Sequence, residues 1–318
     1  MNTQPKNEQA LMATWGDRRE PLLSIVCLAY NHASFIRETL DGFLRQETDF
    51  PFEVIVHDDA STDSTAAIIC EYAARYPSVI KPIYQRENQY RQGVPFSTRL
   101  FARARGKYIA YCEGDDYWTD PRKLQIQVDF LEQNRDYVIT YHDAFMFNSQ
   151  GVVRSPDMQG VVRSPDMQGK YRQDASARQL MQARPVSTLT VCFRNLLQEL
   201  PPELHGVEVL DICWWSLLGA YGKGKFIEEI KPAAYRVHEG GIFSMRSSKQ
   251  RIQMSMHAYY SLARYYQRIG DQALYEYFLI QVFSHALALI SPLSKLQALG
   301  QVFQNTSINL LRRLNPGA

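Results

Sequence analysis

Tyr108-Ile109-Ala110-Tyr111-Cys112-Glu113-Gly114-Asp115-Asp116-Tyr117-Trp118 is the stretch that decides the fold. Its first five residues are a short apolar run, which reads as a buried strand. Three carboxylates, Glu113, Asp115 and Asp116, collect where that strand ends. Such a cluster repels itself unless a cation, a proton or a basic partner sits there. A hard divalent metal takes oxygen ligands of this kind and fills its shell with substrate phosphates. The alternative, on spacing alone, is a solvated acidic turn.

The same rhythm of strand and helix extends on both sides. Residues 22–28, after Pro21, form a continuous apolar strand. A helix follows, with Ser34 as N-cap and Ile36, Leu40, Phe43 and Leu44 in helical register. Residues 52–57 form a second strand that runs into Asp58-Asp59, and then a helix to about Tyr76 capped by Ser61 or Thr62. A strand over 79–84, a helix over 96–105, the strand at 108–112, a helix over 122–134 and a strand at 137–141 continue the alternation. This order implies an α/β fold with a mostly parallel, doubly wound sheet. Ligands in such sheets bind beyond the carboxyl ends of the strands. Asp58-Asp59 and Glu113-Gly114-Asp115-Asp116 both fall there. So does Ala29-Tyr30-Asn31-His32, which offers an aromatic ring and an amide.

Composition narrows the classes. The chain has 318 residues, enough for one large domain and an extension. A hydrophobic fraction of 45% and a charged fraction of 21% are those of a globular protein. A net charge of +2 without a long basic block argues against a nucleic-acid binder. The five cysteines are scattered and form no CxxC pair, so reduced core thiols are expected. Residues 1–20 are polar, without the apolar stretch of a signal peptide, and no run of about 18 apolar residues exists to span a bilayer. A cytoplasmic location is therefore expected. Neither GxxxxGK[ST] nor GxGxxG follows the first strand, which disfavours P-loop enzymes and dinucleotide dehydrogenases.

Three segments in order, Leu23-Ser24-Ile25-Val26-Cys27-Leu28-Ala29-Tyr30-Asn31, Glu53-Val54-Ile55-Val56-His57-Asp58-Asp59-Ala60-Ser61-Thr62-Asp63 and Glu113-Gly114-Asp115-Asp116-Tyr117-Trp118, resemble the family 2 glycosyltransferases. The resemblance covers about residues 21–240. It implies the GT-A fold and inverting transfer of a sugar from a UDP- or dTDP-sugar, with Mg²⁺ or Mn²⁺ as cofactor. It implies that Ala29, Tyr30 and Asp59 meet the nucleotide. Glu113 and Asp115 would meet the ribose, and Asp115 and Asp116 the metal. Glu113 stands where an Asp is usual. A glycan or lipid-linked acceptor in cell-surface polysaccharide synthesis follows from the same resemblance. The rivals are a nucleotidyltransferase and a non-catalytic sugar-nucleotide-binding module.

In the second half, Glu208-Val209-Leu210-Asp211-Ile212-Cys213-Trp214-Trp215 opens a helix expected to reach about Tyr221, with Gly222 as its stop. Asp211 lies in the first turn, where a carboxylate can simply complement the helix dipole, worth about 0.3–1 kcal/mol. The resemblance implies that it is the general base, with Glu208 as fallback; Trp214 and Trp215 would raise its pKa. In Ala234-Tyr235-Arg236-Val237-His238-Glu239-Gly240-Gly241 the resemblance gives His238 to the metal or diphosphate. Arg236 pairs either with phosphates or in an internal salt bridge, and Gly240-Gly241 could hinge a flap.

Residues 151–159 are repeated without change at 160–168, and the two prolines mark a surface loop, with acceptor contact as the functional alternative. From 244 onward helices are expected, including 275–290 and 293–314. They would pack on the catalytic domain, on a second subunit of a homo-oligomer, or on a membrane surface through Lys295, Arg312 and Arg313. The expected organisation is an arm at 1–20, a catalytic domain at 21–243 and a helical extension at 244–318.

Overall fold

The computed structural model describes residues 5–93, 96–152, 172–241, 246–291 and 294. Its strands are β1 (Leu23–Ala29), β2 (Phe52–Asp58), β3 (Ile80–Tyr84), β4 (Tyr108–Tyr111), β5 (Tyr137–Tyr141), β6 (Ala144–Asn148), β7 (Gly151–Val152), β8 (Cys192–Arg194), β9 (Lys223–Phe226) and β10 (Ala233–Arg236). Its helices are α1 (Glu8–Met12), α2 (Ile36–Leu44), α3 (Thr65–Arg75), α4 (Phe96–Phe101), α5 (Lys123–Gln133), α6 (Ala177–Met181), α7 (Asp211–Leu218), α8 (Ser248–Ile269) and α9 (Gln272–Leu289).

Seven strands form the main sheet in the order β3-β2-β1-β4-β8-β5-β9. Pairing is parallel from β3 to β4 and between β5 and β9, while β8 runs antiparallel to both neighbours. Every residue of β2 and all but one of β1 are buried, as a strand covered on both faces requires. The register sets the carboxyl ends level. Ala29 pairs with Asp58, and Val26 with Tyr111. Beyond those ends the Asp59 amide donates to the Ala29 carbonyl at 2.9 Å, and the Gly114 amide donates to the Leu28 carbonyl at 2.8 Å. The three sequence segments therefore leave the sheet at one rim.

A second sheet, β10-β6-β7, lies against this rim. Tyr117 and Ala234 exchange backbone hydrogen bonds at 3.2 and 2.9 Å, which ties the acidic turn to β10.

Several helix ends differ from the sequence expectation. Ser34 does not cap α2; the His32 carbonyl accepts from the Phe35 and Ile36 amides and turns the chain into the helix. Ser61 and Thr62 do not cap α3. Asp63 accepts from the Thr65 amide instead, at 2.9 Å. The helix from Asp211 ends at Leu218, one turn short of Tyr221. Gly222 is required by close approach rather than as a cap, because a Cβ there would lie 2.4 Å from the Asp136 carbonyl oxygen. The N-terminal arm also belongs to the domain. Leu11 and Trp15, one helical turn apart, are both buried in the main core, and the Trp15 indole donates to Thr48 Oγ1 at 3.1 Å.

The chain divides into two compact units, Met1–Met245 and Arg246–Ala318. The described residues of the second form a hairpin of α8 and α9. Ser247 and Gln250 form a reciprocal capping box at its start, and Gly270, at φ 82°, turns the chain between the helices. Tyr266 stacks on Phe278 at 5.7 Å inside it. No helix among the described residues is long and apolar enough to cross a membrane. Apart from Ser294, the segment at 293–314 lies outside the described residues, as does the repeat at 151–168 beyond Val152. All five cysteines are free, four of them buried.

Candidate active site

The loop after β1 is sewn to the loop after β2. Asn31 sits in the left-handed region at φ 55°, and Ala60 opposite it at φ 59°. Non-glycine residues hold such backbone only when their surroundings fix it. Here the Asn31 amide donates to Ser61 Oγ at 2.9 Å, and Asn31 Oδ1 accepts from the Thr62 amide at 2.8 Å. The His32 amide donates to Thr65 Oγ1 at 2.8 Å. This is the work of Ser61 and Thr62, which the sequence pattern assigned to capping.

The nucleotide residues share this rim. Ala29 ends β1 and is buried. Tyr30 is half-buried, with the Arg91 guanidinium 5.9 Å from its ring centroid. Asp59 is buried, and its carboxylate accepts from the Gln89 and Tyr90 amides at 2.7 and 3.0 Å. It thus hangs the 88–90 segment beside Tyr30, and each oxygen keeps a lone pair for a further donor.

In the acidic turn the three carboxylates diverge. Glu113 is half-buried and accepts from the Thr188 hydroxyl, 3.1 Å from both its oxygens. Burial first, and then the charge of Asp115, push its pKa from 4.5 up to about 8. Asp115 points into the rim. Burial works against its charge, but the His238 hydrogen bond at 2.8 Å and the charges of His32 and His238 hold it below the usual carboxylate range. Asp116 turns the other way. It is 2% exposed, and its Oδ1 accepts from the Arg236 amide at 2.8 Å. Burial, with Asp115 and Glu113 nearby, raises its pKa well above normal. Asp116 was expected beside Asp115 as a metal ligand; the turn geometry sends successive side chains to opposite sides, so it does not join the cluster.

The cluster that forms is His32, Asp115 and His238, whose ligand atoms all lie within 4.8 Å of one another. Sequence reading missed His32. Its signal was its place in the strand-end segment Ala29-Tyr30-Asn31-His32, noted only for ring and amide. Gly114 makes room for it: a Cβ there would lie 3.0 Å from His32 Nδ1 and 2.9 Å from Ile36 Cδ1. Burial lowers the His32 pKa, against the pull of Asp115, so the imidazole is neutral near pH 7. One carboxylate and two imidazoles suit a divalent transition ion.

Arg236 adopts the internal alternative rather than facing phosphates. Its Nε donates to the Asp115 carbonyl at 2.9 Å and its terminal nitrogen to Glu38 at 2.6 Å. The guanidinium lies 4.7 and 4.5 Å from the Phe35 and Phe147 ring centroids. It positions the turn.

Asp211 is the first residue of α7 and half-buried, and its charge reaches Glu113 and Tyr111, raising both pKa values. Glu208 is exposed and precedes the helix. Trp214 fixes α7 under β4 by packing on Tyr111 at 5.4 Å and Phe101 at 4.9 Å. The Trp215 indole donates to the Val186 carbonyl at 3.1 Å.

Residues 24–197, just over half the chain, match the family described as Glycosyl transferase family 2. The chain belongs to that family. It is 36% identical over 226 residues to the uncharacterised protein Rv1520 of Mycobacterium tuberculosis, covering 70% of this chain and 60% of that one. The chain thus spans less than two thirds of that relative. It is 32% identical over 139 residues to the Escherichia coli UDP-Glc:alpha-D-GlcNAc-diphosphoundecaprenol beta-1,3-glucosyltransferase WfaP, covering 42% of this chain and 52% of that one. Among solved structures it is similar to the mannosyltransferase PcManGT of Pyrobaculum calidifontis in complex with GDP-Man and Mn²⁺. The TM-score is 0.51 and the identity 17%, over 89% of this chain and 80% of that one. The family 2 assignment and this likeness agree with the GT-A glycosyltransferase fold expected from the strand-end motifs.

Proposed function

We propose that this protein transfers a sugar from a nucleotide-diphosphate donor, a UDP- or dTDP-sugar, to an acceptor hydroxyl with inversion. The observation that carries the proposal is the gathering of Asp115, His238, Glu113 and Asp211 at one sheet rim, beside Tyr30 and Asp59. Tyr30 and Asp59 bind the base, Ala29 lies beside them, and Glu113 and Asp115 meet the ribose. Asp115 and His238 would hold a divalent cation, which would supply Lewis-acid stabilisation of the leaving diphosphate. Asp211 takes the proton of the acceptor hydroxyl as general base. That oxygen then bonds to the anomeric carbon from the face opposite the diphosphate. The anomeric C–O bond breaks, and its electron pair leaves on the diphosphate. The likeness to the glucosyltransferase WfaP supports a UDP-sugar donor and a lipid-diphosphate acceptor, hence a role in polysaccharide synthesis.

The test is Asp211→Asn. Turnover is expected to fall by about 10²–10⁴-fold, the usual contribution of a general base. Donor affinity, measured by calorimetry, should stay unchanged. Near-normal turnover would remove Asp211 from the role. A thermal-shift screen of nucleotide sugars with and without Mn²⁺ identifies the donor, and a lack of any metal-dependent shift would count against the whole assignment.

A further inference from the structure

We propose that His32 is a third protein ligand of the cation, which makes the site a two-imidazole, one-carboxylate centre that prefers Mn²⁺ and Co²⁺ to Mg²⁺. The inference rests on the metal-dependent reading of the rim given above and deepens it.

Three observations carry it. First, Asp116 is turned inward onto the Arg236 amide, so Asp115 is the one carboxylate of the acidic turn that joins the imidazole cluster among the described residues. Second, His32 Nε2 lies 3.7 Å from Asp115 Oδ2, on which His238 Nε2 also converges at 2.8 Å. The two imidazole rings stand edge to face, 6.0 Å between centroids, around that one carboxylate oxygen. Third, neither His32 ring nitrogen has a hydrogen bond among the described residues. Nδ1 is buried without a partner, and Nε2 is beyond hydrogen-bond reach of Asp115. A ring nitrogen shielded from water without a partner is costly. A cation shared with Asp115 supplies the missing contact at Nε2, the nitrogen that faces that carboxylate.

His32 is also placed deliberately. Its backbone is fixed by the Thr65 hydroxyl, and only a glycine at 114 leaves space for its ring. An imidazole used merely as packing would not need that clearance beside a carboxylate. The donor set then decides the ion. Mg²⁺ demands oxygen ligands and keeps its waters, whereas affinity for nitrogen-containing sites rises from Mn²⁺ to Co²⁺.

The experiment titrates the purified full chain with Co²⁺, Mn²⁺ and Mg²⁺ alone, by calorimetry and by the visible absorption of Co²⁺. Electron spin-echo spectroscopy of bound Mn²⁺ counts the coupled imidazole nitrogens. The wild type should bind Co²⁺ most tightly, then Mn²⁺, then Mg²⁺, and show two coupled imidazoles. His32→Ala should weaken Co²⁺ binding by roughly 10-fold or more, change Mg²⁺ binding little, and leave one imidazole. His32→Gln, which returns an oxygen donor, should shift the preference back toward Mg²⁺. Asp115→Asn should lose all three ions. If His32→Ala and His32→Gln keep the wild-type affinities and both imidazole signals while Asp115→Asn loses the metal, the His32 inference is wrong and the metal site stands. If the wild type binds none of the three ions, the metal-dependent reading falls with it.

Discussion

Replacing Glu113 by Gln should flatten the pH dependence of stability in the metal-free protein. Glu113 is held at about 8, against 4.5 when free, chiefly because burial and Asp115 oppose its charge. A folded-state pKa above the unfolded value means that the folded state keeps a proton the unfolded state gives up. The stabilisation is therefore complete below about pH 4.5 and is lost as pH rises through about 8. Inside that window the slope approaches about 1.4 kcal/mol per pH unit. From about pH 5.5 to about pH 7.5 the Glu113 contribution thus falls by about 2–3 kcal/mol.

The assay is urea unfolding in excess EDTA, followed by tryptophan fluorescence. All four tryptophans, Trp15, Trp118, Trp214 and Trp215, lie in the first unit, so the signal reports that unit alone. Other groups titrate in the same range. Asp116 is raised and steepens the loss, while His57 and His142 are lowered by burial and act in the opposite sense. The histidine contributions are common to both proteins and cancel in the difference between wild type and Glu113→Gln, while Asp116, which the Glu113 charge helps to raise, changes in the same direction as Glu113 and adds to the flattening. Parallel stability curves for the two proteins across this range would refute the placement of Glu113 as a buried, charge-opposed carboxyl.

Arg236→Met keeps an apolar stem between Phe35 and Phe147 but removes the bonds to the Asp115 carbonyl and Glu38. It should cost about 1–3 kcal/mol of stability and weaken Mn²⁺ binding, measured by calorimetry. Unchanged Mn²⁺ affinity would deny Arg236 its positioning role. Trp15→Ala should destabilise the first unit by about 3–5 kcal/mol in urea unfolding, since its indole fills the main core. A change under about 1 kcal/mol would return residues 6–15 to the status of a loose arm.

The strands were legible because burial on both faces leaves mostly apolar residues, as in 22–28 and 52–57, where Ser24, Glu53 and His57 are the polar exceptions. The rim was legible for a topological reason, since parallel strands put every carboxyl end on one side. What escaped was direction. In Glu113-Gly114-Asp115-Asp116 the residue types announce a cation, yet which carboxylate faces it depends on backbone torsions that no spacing rule reports. The same holds for Arg236, whose guanidinium could equally face phosphates or Glu38. Ser34, Ser61 and Thr62 carry good cap chemistry, but Ser61 and Thr62 have loop partners 30 residues or more away in sequence, at Asn31. The short β8 and β9 were not legible, because 3 and 4 residues are too few to show a period.

Asp115 and Asp116 show how one turn serves two ends. Asp115 offers its side chain to the rim and its carbonyl to Arg236. Asp116 offers its carboxylate to the Arg236 amide and its carbonyl to Thr39, at 2.7 Å. Tyr117 then pairs with Ala234. Three consecutive residues of the turn therefore grip β10, and β10 leads directly to His238. The distance between Asp115 and His238 is set by this grip and not by their own hydrogen bond, which a bound cation would replace. Two carboxylates that look interchangeable in sequence are thus unequal in role: one faces the rim, and the other holds the strand that brings His238 into place.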